Sequence, residues 1–132
     1  MQPMLAQLAP GMPPGAFPAA DRGHLAAHGP LIRNGVRVAF SSDLPVLMDP
    51  NPWPGIRAAV EDPINGISLL RALRAYTAGG AYASWEERSK GTLDAGMLAD
   101  LQIYAGDPLE VARAGWDELR PAVVLLGGTR VL

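Results

Sequence analysis

Val36-Arg37-Val38-Ala39-Phe40-Ser41-Ser42-Asp43-Leu44-Pro45 is the stretch on which the fold reading turns. Valine, alanine and phenylalanine take its apolar positions, Gly35 precedes it, and Ser41-Ser42-Asp43 closes it ahead of a proline that has no N–H for a ladder. The pattern predicts a buried strand near 36–42 that delivers a carboxylate at its C-terminal end. In parallel α/β architectures the carboxyl ends of strands carry the chemistry, which makes Asp43 a catalytic candidate. Serine, aspartate and proline are also the commonest turn formers, so a plain turn or helix start at Asp43 is the competing reading.

Upstream of the stretch, Met1 to Arg22 holds five prolines, three of them in the cluster Pro10 to Gly15. Proline inside an element removes a donor and clashes with the preceding turn, so a loop is expected, with at most one helical turn around Met4 to Leu8. Met4, Leu5, Leu8, Met12 and Phe17 are too apolar for a solvated tail and are expected to lie against this chain or another. From Gly23 to Asn34 a short helix starting at Pro30 and ending at Gly35 leads into the strand. His24 and His28 are spaced i, i+4, which on an unbroken helix puts both imidazoles on one face and suits a metal. Pro30 follows closely enough to break such a helix, and ordinary surface histidines are the competing reading.

Downstream, Leu44 to Trp53 is proline-rich and reads as an extended loop of the kind that carries active-site or lid residues. Pro54 opens a short helix over Gly55 to Val60 that ends near Asp62-Pro63, and Asn65-Gly66 marks a turn. Ser68 is placed to cap the clearest helix, near 69–83, with Leu69, Leu70, Leu73, Tyr76, Thr77 and Ala81 on its apolar face and Arg71, Arg74 and Ala75 opposite. Gly79-Gly80 inside it costs roughly 1 kcal/mol per glycine, which predicts close packing or a break there. Trp85 reads as an aromatic anchor, and core packing accounts for both Trp53 and Trp85. Leu101 to Tyr104 alternates as a strand, Val111 to Leu119 is loosely helical, and Gly127-Gly128 joins two further strands as a hairpin.

Composition narrows the function. The 132 residues carry 11 basic and 13 acidic side chains scattered singly, a net charge of −2, so no basic stripe exists for a phosphate backbone and nucleic acid is not an expected partner. There is no cysteine, which removes disulfides, thiolate metal sites and thiol nucleophiles together. With no apolar run of membrane-spanning length and no basic-then-apolar leader, a soluble, cytoplasmic chain without a membrane partner is expected.

Several segments, taken in order, resemble one family. Gly35-Val-Arg-Val-Ala-Phe-Ser-Ser-Asp43-Leu-Pro-Val46, Ala72-Leu-Arg-Ala-Tyr-Thr77 with Ala81-Tyr-Ala83, Lys90-Gly-Thr-Leu-Asp-Ala-Gly-Met-Leu-Ala-Asp100, Asp107-Pro-Leu109 and Gly127-Gly128 are similar to the C-terminal part of metal-dependent amidohydrolases. The likeness is to the amidohydrolase 3 branch, with its formamide deformylase-like and N-acyl-amino-acid deacylase-like proteins. The resemblance implies an α/β fold: the C-terminal fragment of a metal-dependent (β/α)8 barrel followed by part of a small β-sandwich. On that division, residues 1–90 end the barrel in its last one or two βα units, and residues 91–132 belong to the sandwich. Gln2-Pro3 looks like the end of the preceding barrel strand.

Asp43 then corresponds to the carboxylate at the end of the eighth strand, both metal-site residue and proton relay to the leaving nitrogen. The implied reaction is hydrolysis of a carbon–nitrogen bond other than a peptide bond in a small amide-type substrate, with a divalent metal, zinc, activating the water. His24 and His28 match no ligand position. A complete barrel takes roughly 250 residues, and the family's His-x-His, bridging carboxylate or carbamylated lysine, and later-strand histidines have no counterpart here. A zinc site of about 10–16 kcal/mol draws on several ligands together, so no cofactor is expected for this chain alone. The expected partner is the missing N-terminal part of the barrel, and the alternative is a non-catalytic structural or assembly module.

Overall fold

The computed structural model describes residues 1–5, 11, 13, 16, 21, 24, 26–44 and 50–132. Their elements are α1 (His28–Arg33), α2 (Trp53–Glu61), α3 (Leu69–Tyr76), α4 (Ala78–Ala83), β1 (Leu101–Ile103), a 3-10 turn (Arg113–Glu118), β2 (Val123–Leu126) and β3 (Thr129–Arg130). The architecture is mixed: helices first, then a small antiparallel sheet. The expected contacts of Leu8, Met12 and Phe17, residues 10, 12, 14 and 15 of the proline cluster, and the expected loop over 45–49 lie outside the described residues. Met4 and Leu5 are half-buried.

Helix α1 begins two residues before the expected Pro30 and stops where glycine permits a left-handed residue. Gly35, at φ +78, donates its N–H to Ile32 O at 3.1 Å, and Val36 donates to Leu31 O at 3.0 Å. That pair of bonds satisfies two of the carbonyls any helix leaves orphaned at its end. Gly29 is held to glycine from the other side, because a Cβ there would sit 2.2 Å from the Asn65 carbonyl oxygen. Helix α2 carries proline in its first turn as expected. Beyond it the Asp62 carboxylate accepts the N–H of Ile64 and of Asn65, both at 2.8 Å, which makes the turn at Asn65.

The helix expected over 69–83 is two helices, interrupted at Thr77, whose φ −106 and ψ −90 are not helical. Ser68 has the extended backbone of an N-cap, but its hydroxyl makes no capping bond. Leu69, Leu73 and Tyr76 pack against the core as expected, but the inward face also takes in Ala72 and Ala75, the latter expected opposite. Ala72, Ala75 and Ala81 are the buried residues, whereas Leu70 is 64% exposed. Small residues face inward because the extended segment 36–41 lies directly against these helices. Phe40 N donates to Ala75 O at 3.0 Å, and a Cβ on Gly79 would meet the Val38 carbonyl oxygen at 2.3 Å.

That segment is not the strand expected near 36–42, since no ladder forms along it. Parallel pairing survives at a single position. The Met1 ammonium donates to Ala39 O at 2.6 Å and Ser41 N donates to Met1 O at 3.0 Å, the alternation of a parallel ladder with Met1 opposite Phe40. One paired residue does not make a strand, and on the other edge a helix carbonyl takes the Phe40 N–H in place of a neighbouring strand. Val36 and Arg37 are accordingly exposed, and burial reaches completion only at Phe40.

The closing sheet has the order β1-β2-β3, all antiparallel, with Leu101 opposite Leu125 and Leu126 opposite Thr129. Gly127 and Gly128 are both left-handed, at φ +56 and +81, as a two-residue hairpin demands. The Asp100 carboxylate accepts the Gly127 N–H at 2.6 Å and fixes the turn. Phe40, Trp53, Ile56, Ala59, Ile67, Ala72, Ala75 and Trp116 form one hydrophobic core, to which the 3-10 turn contributes Trp116. Among the described residues no helix is long and apolar enough to cross a membrane.

Candidate functional site

The approach to Asp43 is set by an aromatic clamp. Phe40 lies edge-on between His28, 5.4 Å away centroid to centroid, and Tyr76, at 5.5 Å. Edge-to-face aromatic pairs add about 0.5–1.5 kcal/mol beyond area burial, so the clamp locks the backbone three residues ahead of the carboxylate. Ser41 is tied through its N–H to Met1 and through its hydroxyl to the Gln2 amide at 3.3 Å. Asp43 itself is half-buried and left-handed, at φ +58. Aspartate is among the few residues that accept this conformation, at a cost that surrounding structure must hold in place. The carboxylate therefore stands on a sharply redirected backbone at the end of an anchored segment.

The start of α2 is fastened by residues the sequence reading did not single out. Asn51 is buried; its amide donates to Asp117 O at 3.0 Å while its carbonyl oxygen accepts the Trp53 N–H at 3.2 Å. The Asp117 carboxylate accepts from Arg57 Nε at 2.9 Å and also from a terminal guanidinium nitrogen of the same residue. This fork holds the Arg57 guanidinium pKa above its ordinary value, chiefly through the hydrogen bond it donates to Asp117. Above the fork, Trp53 and Trp116 pack at 5.9 Å, and Trp53 Nε1 donates to the Tyr104 hydroxyl at 2.9 Å. An asparagine two residues before a helix that opens with proline is the one signal that points to such a fastening in advance.

The histidines do not form the metal pair that their spacing allows. His28 is the first residue of α1 and fully buried, its Nε2–H donating to Ala59 O at 3.3 Å, whereas His24 is exposed and outside that helix. The helix break before His28 is the physical reason. Because a carbonyl only accepts, Nε2 carries the proton, and Nδ1 is left buried without a partner among the described residues. The same residues hold no group of three histidine, cysteine, aspartate or glutamate side chains able to take a metal ion. Asp43 as the single carboxylate does not make a metal centre. Trp85, expected in the core, is 86% exposed, since the chain turns left-handed there at φ +62 and carries the side chain outward.

Three comparisons bear on this arrangement. A family model described as "Amidohydrolase family" matches residues 5–132. The crystal structure of an amidohydrolase from Thermotoga maritima MSB8 is similar in fold, with a TM-score of 0.63 at 22% identity, covering 77% of this chain and 24% of that one. The chain thus spans about a quarter of that protein's length. No curated protein matches the chain.

Proposed function

From the premise that the chain belongs to the amidohydrolase family, in its amidohydrolase 3 branch, we propose that it is the C-terminal part of a hydrolase acting on carbon–nitrogen bonds other than peptide bonds. In this reading Asp43 is its chemical contribution. The observation that carries the reading is the half-buried, left-handed Asp43 at the end of a segment whose backbone exchanges parallel-type bonds with Met1. That is the placement expected of a carboxylate at the mouth of a (β/α)8 barrel. Asp43 takes the proton from the attacking water and returns it to the departing nitrogen, which as an amine is a poor leaving group until protonated. A divalent metal, zinc by the family's pattern, belongs to the completed barrel. The donor set of this chain does not fit it alone, and the further ligands come from the N-terminal part. Alone, the chain is inactive.

The test is zinc content and amidase activity of the chain, taken by itself and with the N-terminal part of the barrel. Both are expected to rise only on mixing. Asp43→Asn, which keeps a residue tolerant of the left-handed backbone, is expected to lower activity of the mixture by 100-fold or more, the order of a lost general base, with the melting temperature unchanged. Activity that survives Asp43→Asn removes the assignment. The second reading, a structural module without chemistry, predicts no gain of zinc on mixing.

A further inference from the structure

We propose that Asn34 is a site of spontaneous covalent modification, the point at which this chain ages: its side-chain amide condenses with the backbone nitrogen of Gly35. The Gly35 nitrogen attacks the Asn34 Cγ, an N–Cγ bond forms as the Cγ–Nδ2 bond breaks, and ammonia departs carrying the backbone amide proton. Water then opens the cyclic imide at either carbonyl, leaving aspartate or isoaspartate. No electron is transferred, and water is the sole co-reactant. The sequence offers three asparagines to this chemistry, Asn34, Asn51 and Asn65. Asn51 precedes Pro52, which has no N–H to attack with. Asn34 and Asn65 each precede glycine, the residue that hinders the attack least, so pattern alone does not separate them.

The surroundings of the two sites do separate them. Asn34 caps the end of α1 and is exposed, as is Gly35, where a Cβ would meet nothing within 4 Å. The space that a ring needs is therefore open. Asn65 is 2% exposed, and its N–H is held by the Asp62 carboxylate at 2.8 Å. Its carbonyl oxygen abuts Gly29, where a Cβ would lie 2.2 Å away, and a Cβ on Gly66 would meet the Asp62 carbonyl oxygen at 2.6 Å. Turning the Asn65–Gly66 peptide to close a ring drives backbone into backbone on both sides.

Two bonds restrain Asn34: its amide donates to Pro30 O at 2.8 Å, and the Gly35 N–H donates to Ile32 O at 3.1 Å. Both end on carbonyls near the close of a helix of 6 residues, with the asparagine in water, and both open when that turn frays. An aspartate side chain only accepts, so the bond to Pro30 O is lost in the product. The new negative charge also lies at the helix end that already carries partial negative charge. Isoaspartate in addition puts an extra methylene into the main chain between α1 and Val36, whose N–H is bonded to Leu31 O at 3.0 Å. Modification therefore loosens the join between α1 and the extended segment that follows it.

Ageing of the purified chain at mildly alkaline pH tests this independently of any role for Asp43. Peptide mapping by mass spectrometry follows both asparagines, in buffer and in guanidinium chloride. Unfolded, the two are expected to convert at similar rates. Folded, Asn34 is expected to slow by no more than about tenfold and Asn65 by about a hundredfold or more, the difference between fraying and a larger opening. The aged chain is expected to melt a few degrees lower, whereas Asn34→Gln, whose longer side chain closes an imide far more slowly, keeps its melting temperature through the same treatment. Conversion at Asn34 no faster than at Asn65 in the folded chain, or a loss of melting temperature that Asn34→Gln does not prevent, overturns the proposal.

Discussion

Burial pushes the Tyr76 phenol up to about 12, against an ordinary value near 10. The raised value means the folded chain favours the neutral phenol. Its stabilising contribution is complete below about pH 10, where both folded and unfolded forms are protonated, and is lost as pH rises through the folded value. Urea midpoints measured across that alkaline window should therefore fall steeply, and Tyr76→Phe should flatten the fall; an unchanged slope would remove Tyr76 as its source. At this scale the left-handed backbone at Asp43 was legible, since Ser41-Ser42-Asp43 ahead of a proline is a turn-forming run. His28 and Trp85 were not. The sequence pattern presents a histidine two residues before proline as surface, whereas the fold buries it against Phe40. Trp85 reads as core because hydrophobicity carries no mark of a left-handed backbone when the residue is not glycine.

Between elements, adjacent glycines are distinguished by what stands opposite them. A Cβ on Gly79 meets the Val38 carbonyl oxygen at 2.3 Å, backbone that cannot retreat, while one on Gly80 meets nothing within 4 Å. Gly79→Ala should cost about 1–3 kcal/mol by overpacking, and Gly80→Ala should gain about 0.5–1 kcal/mol through lost freedom of the unfolded chain. Denaturant unfolding of the two variants checks both signs. The Gly79-Gly80 pair did announce either packing or a break, and the structure contains both: the contact at Val38 and the interruption at Thr77. The hairpin at Gly127-Gly128, the turn at Asn65 and the ends of α1 and α2 were legible for the same reason, that glycine, proline and aspartate act locally. The segment 36–42 failed as a strand because a ladder depends on neighbouring strands, and among the described residues only Met1 exchanges parallel-type backbone bonds with it. On α3, Leu69, Leu73 and Tyr76 pack on the core as read, and only Leu70 and Ala75 were misassigned, because the rule that large apolar residues point inward yields when a backbone passes within contact distance.

Across the whole molecule, the core joins helices and the C-terminal section through Trp116, which is 3% exposed and packs on Trp53. Trp116→Ala should cost about 3–5 kcal/mol, the range for a large aromatic removed from a core, and should destabilise helix and sheet signals alike. Loss of the sheet signal alone in circular dichroism melts would show that the sections unfold separately. The family assignment was legible because it rests on ordered motifs spread along the chain, whereas the Asn51, Arg57 and Asp117 fastening joins residues 60 and more apart, a separation that local pattern does not reach. The placement of the three indoles has a last consequence. Two are sheltered and adjacent, so they emit in the blue and resist iodide. The third stands in water and emits in the red, a built-in lamp that dims or shifts when its own face alone is touched.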